Sequence, residues 1–204
     1  MENRRASTEN EIIKVALKVF TEKGYKGATM RDIAKAAKVN LAMLNYYFRS
    51  KENLFDIIFE KSFLLIYEKL MGAFSSKKPL FEKISAFSNA YIDTFIDNPA
   101  IPNFIFNEIT HNPAHLANKI KDNQPIMEMI NTFQQQIDEE VEAGTIKPVN
   151  SFELLLNLLA LSVFPFIAKP MLKEVFGFSD LNFGALLERR KTSVARFVIN
   201  AIKF

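Results

Sequence analysis

Residues 29–51 read TMRDIAKAAKVNLAMLNYYFRSK, and this stretch decides the fold. Thr29 and Asp32 have the i, i+3 spacing at which a hydroxyl and a carboxylate cap a helix start reciprocally. Met30, Ile33, Ala34 and Ala37 then share one face, and the alanines let a second short helix cross close by. Val39 plugs a turn, and Asn40 is a natural N-cap for the next helix. In that helix Leu44 and Phe48 point inward one turn apart, which leaves Asn45, Tyr46 and Tyr47 toward solvent or a ligand. Ser50 caps a fourth helix, and Glu52 in its first turn complements the helix dipole. Two short helices about a tight turn, the second with adjacent exposed tyrosines, form the geometry that enters a DNA major groove.

Upstream, Thr8 and Glu11 have capping-box spacing and mark an expected helix start. Ile12, Ala16, Val19 and Phe20 follow on one face at helical spacing. Gly24 stands where the chain must turn with positive φ. On a DNA-binding reading, Thr29, Tyr46, Tyr47 and Lys51 hold phosphates, which fixes register, and base edges give preference. Arg31 reaches a guanine edge or a phosphate, and Asn45 pairs with an adenine edge. Asn40, Leu41 and Ala42 complete the DNA-facing set. Leu41, Ala42 and Met43 suit apolar contact with thymine methyls more than bidentate hydrogen bonding.

The pattern T-x-x-D-I-A-x-x-A-x-V from Thr29, then L-x-x-Y-F-x-S-K-E-x-L from Leu44, is long and ordered. With Ala16–Phe20, Gly24 and Tyr25 it resembles the DNA-binding domain of the TetR family of bacterial transcription regulators over residues 9–55. The resemblance implies an all-α chain. A helix-turn-helix domain over residues 1–50 would precede a helical regulatory and dimerisation domain over 51–204. It also implies a homodimer on a double-stranded DNA operator, acting as a repressor that a small, largely apolar effector releases. Three residues depart from the family pattern. Lys38 stands where the turn usually has Gly, Leu41 where a basic or polar residue is common, and Asn45 where an aromatic is common. A different class of function is a helical ligand-binding or scaffold protein whose helix-turn-helix mediates protein contacts.

The charge is uneven. The chain of 204 residues carries +3, but residues 1–55 hold 11 Lys/Arg against 6 Asp/Glu, a net of +5. The remaining residues hold 15 against 17, a net of −2. A basic end suits a polyanion. Cysteine is absent, which excludes disulfides and fits a reducing cytoplasm. No basic n-region with an apolar h-region opens the chain, so no secretory signal is expected.

Downstream, a helix from Ser50 to about Ala73 is apolar nearly all round, which predicts burial. Helices are expected over Pro79–Asp97, Asn103–Thr110, from Pro113, Pro125–Gly144, Leu154–Ala168 and Phe183–Phe204. The Leu154–Ala168 run contains Asn157 and Pro165 and falls short of the roughly twenty apolar residues that span a bilayer. It reads as a buried or dimer-forming helix, with dimerisation through 151–168 and 183–203 and no membrane partner.

Of 20 phenylalanines, only Phe20, Phe48 and Phe55 precede residue 56. Aromatic-rich helices can line an apolar cavity, and the family resemblance implies an effector there. The expected lining is Tyr67, Phe87, Tyr91, Phe104, Asn107 and His111. Enzyme chemistry is not expected: GxGxxG, P-loop and GxSxG motifs are all missing. His111 and His115 have a metal-binding spacing, but Pro113 interrupts the helix between them and no third ligand is evident, so neither metal nor cofactor is expected.

Overall fold

The computed structural model describes residues 2–204, with side chains from Ser7 onward. Among these residues there are eleven helices: α1 (Glu2–Gly27), α2 (Met30–Ala36), α3 (Leu41–Phe48), α4 (Lys51–Phe74), α5 (Leu80–Asp97), α6 (Ile101–His111), α7 (Pro113–Lys121), α8 (Gln124–Glu142), α9 (Ser151–Ile167), α10 (Lys169–Phe176) and α11 (Asp180–Ile202). An isolated bridge between Ile146 and Lys203 is the one extended pairing among them. The fold is all-α, as the sequence predicts.

The chain divides into two compact units. The first runs to Leu64 and includes Ala100–Asn112; the second is Leu65–Pro99 with Pro113–Phe204. This cut differs from the 1–50 and 51–204 division read from sequence, because the start of α4 and all of α6 belong to the first unit.

In the first unit, Ile12, Ala16, Val19 and Phe20 are buried, as their spacing requires. Thr8 and Glu11 do not start a helix: α1 is already helical from Glu2, and no Gly or Pro in residues 2–7 interrupts it. The break comes at Gly24, at φ 67° and ψ 168°, a conformation that glycine adopts without a Cβ clash. The Phe55 ring packs edge-on against Phe20 at 5.2 Å and lies 5.1 Å from Phe104. Phe104 and Ile101 are buried on α6, so this helix completes the first unit's core. Asn107 Nδ2 also donates to the Thr21 carbonyl of α1 at 3.5 Å.

In the second unit, α5 packs against α9 and α11. Phe87, Tyr91 and Phe95 recur every four residues on α5, with ring centroids 4.8 and 4.5 Å apart along the row. Phe74 and Phe133 extend the row at one end, and Phe166 meets Phe95 at 5.4 Å at the other. Each such pair is worth about 0.5–1.5 kcal/mol beyond the area it buries. The buried Lys83 ammonium donates to the Phe74 carbonyl at 3.1 Å, satisfying the C-terminal end of α4. Burial holds its pKa below the usual lysine range.

The expectation that α4 is buried all round is met only near its ends. Leu54, Phe55, Ile58, Phe59, Ala73 and Phe74 are buried, Ile66, Tyr67 and Leu70 are half-buried, and Leu64 is 51% exposed. The apolar run after Leu154 forms α9 and then bends by 60° into α10, which the sequence reading did not separate. Among the described residues no single helix is long and apolar enough to cross a membrane.

Candidate nucleic-acid interface

Local chemistry fixes the helix-turn-helix. The Thr29 hydroxyl accepts from Asp32 N–H at 3.1 Å, and the Asp32 carboxylate accepts from Thr29 N–H at 3.0 Å, a complete capping box. The Thr29 hydroxyl also donates to Asp32 at 2.6 Å, and Lys23 Nζ lies 2.7 Å from the same carboxylate. These bonds, Lys23 first, hold the Asp32 pKa down at about 2. Thr29 is thus the α2 cap, and its proton is already committed.

The turn after α2 is a Schellman motif. Val39 N–H donates to Ala34 carbonyl at 3.0 Å and Lys38 N–H to Lys35 carbonyl at 3.3 Å. This requires positive φ at Lys38, which is 55°. A left-handed conformation costs a residue with a Cβ about 1 kcal/mol. Asn40 then caps α3 by accepting from Met43 N–H at 2.7 Å, as predicted. Leu44 and Phe48 are fully buried and hold the inner face of α3. At its other end Arg49 has φ 60° and ψ −53°, and Ser50 N–H reaches back to Phe48 carbonyl at 2.6 Å. That is a γ-turn with positive φ at its centre, a rare and strained form.

The expected DNA-facing residues separate into two groups. Asn40, Ala42, Asn45 and Tyr46 are exposed, Tyr46 at 67%, and Arg31 is exposed on α2. Leu41 and Tyr47 are half-buried, and the Tyr46 and Tyr47 rings meet edge-on at 5.6 Å. Lys51 is placed otherwise. Its half-buried ammonium donates to the Tyr25 carbonyl at 2.9 Å and the Ala28 carbonyl at 3.1 Å, and sits 4.4 Å from the Tyr25 ring centroid. It caps the chain leaving α1. Helix α3 itself bears no charged side chain. Among the described residues, the exposed side chains of Arg31, Lys35, Lys38 and Arg49 make no hydrogen bond or ion pair. Of these, only Arg31 belongs to the DNA-facing set expected from sequence; the positive φ of Lys38 and Arg49 is a feature that only the structure shows.

The six expected effector residues do not gather in one unit. Phe104, Asn107 and His111 lie on α6 in the first, and Tyr67, Phe87 and Tyr91 in the second. Phe104 is core, and His111 Nδ1 lies 2.8 Å from its own helix's Asn107 carbonyl. Burial raises the Tyr91 pKa above the usual phenol range. In the second unit, a groove of about 250 Å³ between α5 and α11 is lined by Ser85, Asn89, Lys191 and Arg196 among others, none of them in the expected set.

On α9, Phe152, Leu156 and Phe164 are 64%, 53% and 59% exposed and share one face at multiples of four residues. On α11, Phe197 is 65% exposed. These are large apolar side chains left uncovered on the two segments expected to dimerise.

Two family descriptions match the chain. "Bacterial regulatory proteins, tetR family" covers residues 12–58, and "Tetracyclin repressor-like, C-terminal domain" covers residues 81–198. The probable HTH-type transcriptional regulator YttP of Bacillus subtilis is 42% identical over 52 residues, 26% of this chain and 25% of that protein. The HTH-type transcriptional repressor NicS of Pseudomonas putida is 31% identical over 111 residues, 53% of this chain and 51% of that protein. The chain thus spans between a quarter and about half of the length of these relatives. Among solved structures, the hemolysin II transcriptional regulator HlyIIR superposes with TM-score 0.65 at 24% identity, over 98% of this chain and 99% of that one. A TetR family transcription regulator from Marinobacter aquaeolei VT8 gives 0.66 at 18% identity, over 100% and 99%. These two likenesses speak to the fold; the two family descriptions, which together span both ends of the chain, settle membership. The chain belongs to the tetR family of bacterial regulatory proteins.

Proposed function

We propose that this protein is a sequence-specific DNA-binding transcriptional repressor that works as a homodimer and is released from its operator by a small, largely apolar effector. The observation that carries the reading is the outer face of α3. Ala42, Asn45 and Tyr46 stand exposed at i, i+3, i+4 spacing on a helix anchored from behind by Leu44 and Phe48. Asn45 offers an amide to an adenine edge and Ala42 a methyl to thymine. Repression is supported by relatives named as repressors: NicS, and IcaR of Staphylococcus epidermidis, a negative transcriptional regulator. Dimerisation is supported by the uncovered Phe152, Leu156, Phe164 and Phe197. A two-fold dimer reads half-sites about 34–36 Å apart on a near-palindrome. The effector is assigned to the second unit on the family's C-terminal domain match alone, since Phe87, Tyr91 and Phe95 pack on one another as core. DNA-facing and regulatory functions accordingly fall to residues 1–50 and to the remainder.

The test is selection of bound duplexes from a random pool, followed by a screen for small molecules that release the selected duplex. A near-palindromic consensus is expected. A pool that emerges without any consensus would remove the sequence-specific reading. A consensus that no small molecule releases, while a protein partner does, would remove the effector alone.

A further inference from the structure

Apart from glycines, two described residues have positive φ: Lys38 at 55° and Arg49 at 60°. Both are cationic, both are exposed, and they flank α3, one in the turn before it and one at its exit. Random placement of strain would not select two cations at the two ends of one helix.

The same chain shows how the Schellman turn is built without strain. After α8, Gly144 N–H donates to Val141 carbonyl and Thr145 N–H to Glu140 carbonyl, both near 3 Å, with Gly144 at φ 70°. Lys38 fills the identical position after α2. Arg49 sits at the centre of a γ-turn that glycine would also tolerate better. Backbone strain persists where a side chain is needed there, and such outliers cluster at functional sites.

Charge says what the side chains are for. Helix α3 is neutral, Lys51 is spent on the Tyr25 and Ala28 carbonyls, and Lys23 is paired with Asp32. Lys38 and Arg49 have no such engagement among the described residues. An eight-residue helix is about 12 Å long, close to the width of the major groove, about 12 Å. Cations at its two ends reach the phosphates that border the groove while the neutral face meets the bases.

We propose that Lys38 and Arg49 are the paired phosphate anchors of α3, kept on strained backbone because a charge is required at each end of the helix. The inference rests on the DNA-binding reading above and names the residues through which it acts.

The test uses the full chain with Lys38→Gly, Arg49→Gly and the double substitution, plus Lys38→Asn, which keeps a side chain tolerant of positive φ without charge. Binding to a short duplex of mixed sequence is measured across salt concentrations, because phosphate contact is independent of sequence. Each glycine variant is expected to melt no lower than the parent, and up to about 2–4 °C higher. Each is also expected to bind the duplex more weakly, with the slope of log K against log salt shallower by about 0.9 per lost contact, that is about 1.8 per dimer for a single substitution and about 3.6 for the double variant. Lys38→Asn should lose the same slope as Lys38→Gly, and Arg49→Lys should keep the parent's. Unchanged slopes in the glycine variants, or a clear fall in their melting temperature, would overturn the proposal. A parent protein that shows no salt-dependent duplex binding would instead overturn the DNA-binding reading itself, so the two failures are separable.

Discussion

Lys51 gives the sharpest confrontation between sequence and structure. By sequence it is a phosphate contact, whereas in the structure its ammonium is turned inward onto the Tyr25 and Ala28 carbonyls. Consider Lys51→Met, which keeps the stem and removes the charge. Two hydrogen bonds from a charged donor are lost, nominally about 1.5–3 kcal/mol each. Both must be discounted. Lys51 is only half-buried, and Tyr25 is 39% exposed, so water replaces part of what the Tyr25 carbonyl loses. The Ala28 residue is 0% exposed, so its carbonyl regains little. The contact with the Tyr25 ring adds about 0.5–1 kcal/mol at a site of this exposure. A net loss of about 2–3 kcal/mol follows, or roughly 4–12 °C in melting temperature for a chain of this size.

Two assays are needed because the two readings of Lys51 differ in where the loss shows. A capping lysine costs melting temperature and leaves the salt slope of duplex binding intact, since no counterion is displaced by it. A phosphate-contacting lysine costs about 0.9 per protomer in that slope and leaves the fold alone. The expected result is the first. A shallower slope with an unmoved melting temperature would refute the structural assignment and restore the sequence-based one.

Three other outcomes are expected. Asp32 has its pKa depressed to about 2, so its stabilising contribution is complete above the ordinary carboxylate pKa of 3.8 and is lost as pH falls through about 2; an acid titration followed by circular dichroism should show a smaller loss of stability over that window in Asp32→Asn than in the parent, with the remainder from other carboxylates such as Asp180. Phe104→Ala should cost about 3–5 kcal/mol, and, because α6 packs in the first unit, hydrogen exchange should quicken in α1 while α11 keeps its protection; the reverse pattern would place α6 elsewhere. Asn45→Ala should reduce discrimination at one base pair by about 1–3 kcal/mol without altering the salt slope, which competition between duplexes differing at that pair would measure.

What was legible in the sequence lies within about four residues of its cause. Thr29 with Asp32, Asn40 with Met43 N–H, and Gly24 at its break are each set by neighbours along the chain, and each appears where expected. So does the inward pair Leu44 and Phe48, because helical periodicity alone assigns it. What the sequence did not show depends on residues far along the chain. Lys51 is directed by Tyr25, twenty-six positions away, and α6 joins the first unit through the meeting of Phe104 with Phe55. Thr8 and Glu11 show the complementary error: a spacing that can cap a helix does not start one when the residues before it are equally able to be helical. Aromatic content likewise pointed to a cavity, but composition cannot tell a lining ring from a core ring, and Phe87 and Phe104 are both core.

The proline in α9 shows how a local rule and a distant residue act together. Pro165 has no N–H, so the Leu161 carbonyl one turn earlier loses its helical partner, and a proline at such a site costs about 3 kcal/mol or more. Arg190 of α11 donates its Nη2 to that carbonyl, a charged bond worth about 1.5–3 kcal/mol. Burial at this crossing lowers the arginine's pKa, as expected for a cation answered by a carbonyl dipole alone. The helix therefore runs on to Ile167 and does not end before the proline. The consequence is functional as well as structural. Phe164 stands on the turn that Arg190 rescues, and with Phe152 and Leu156 it makes one exposed apolar stripe about three turns long. Without that bond the helix would fray where the stripe ends, and the surface proposed to meet a second copy would lose its last aromatic anchor.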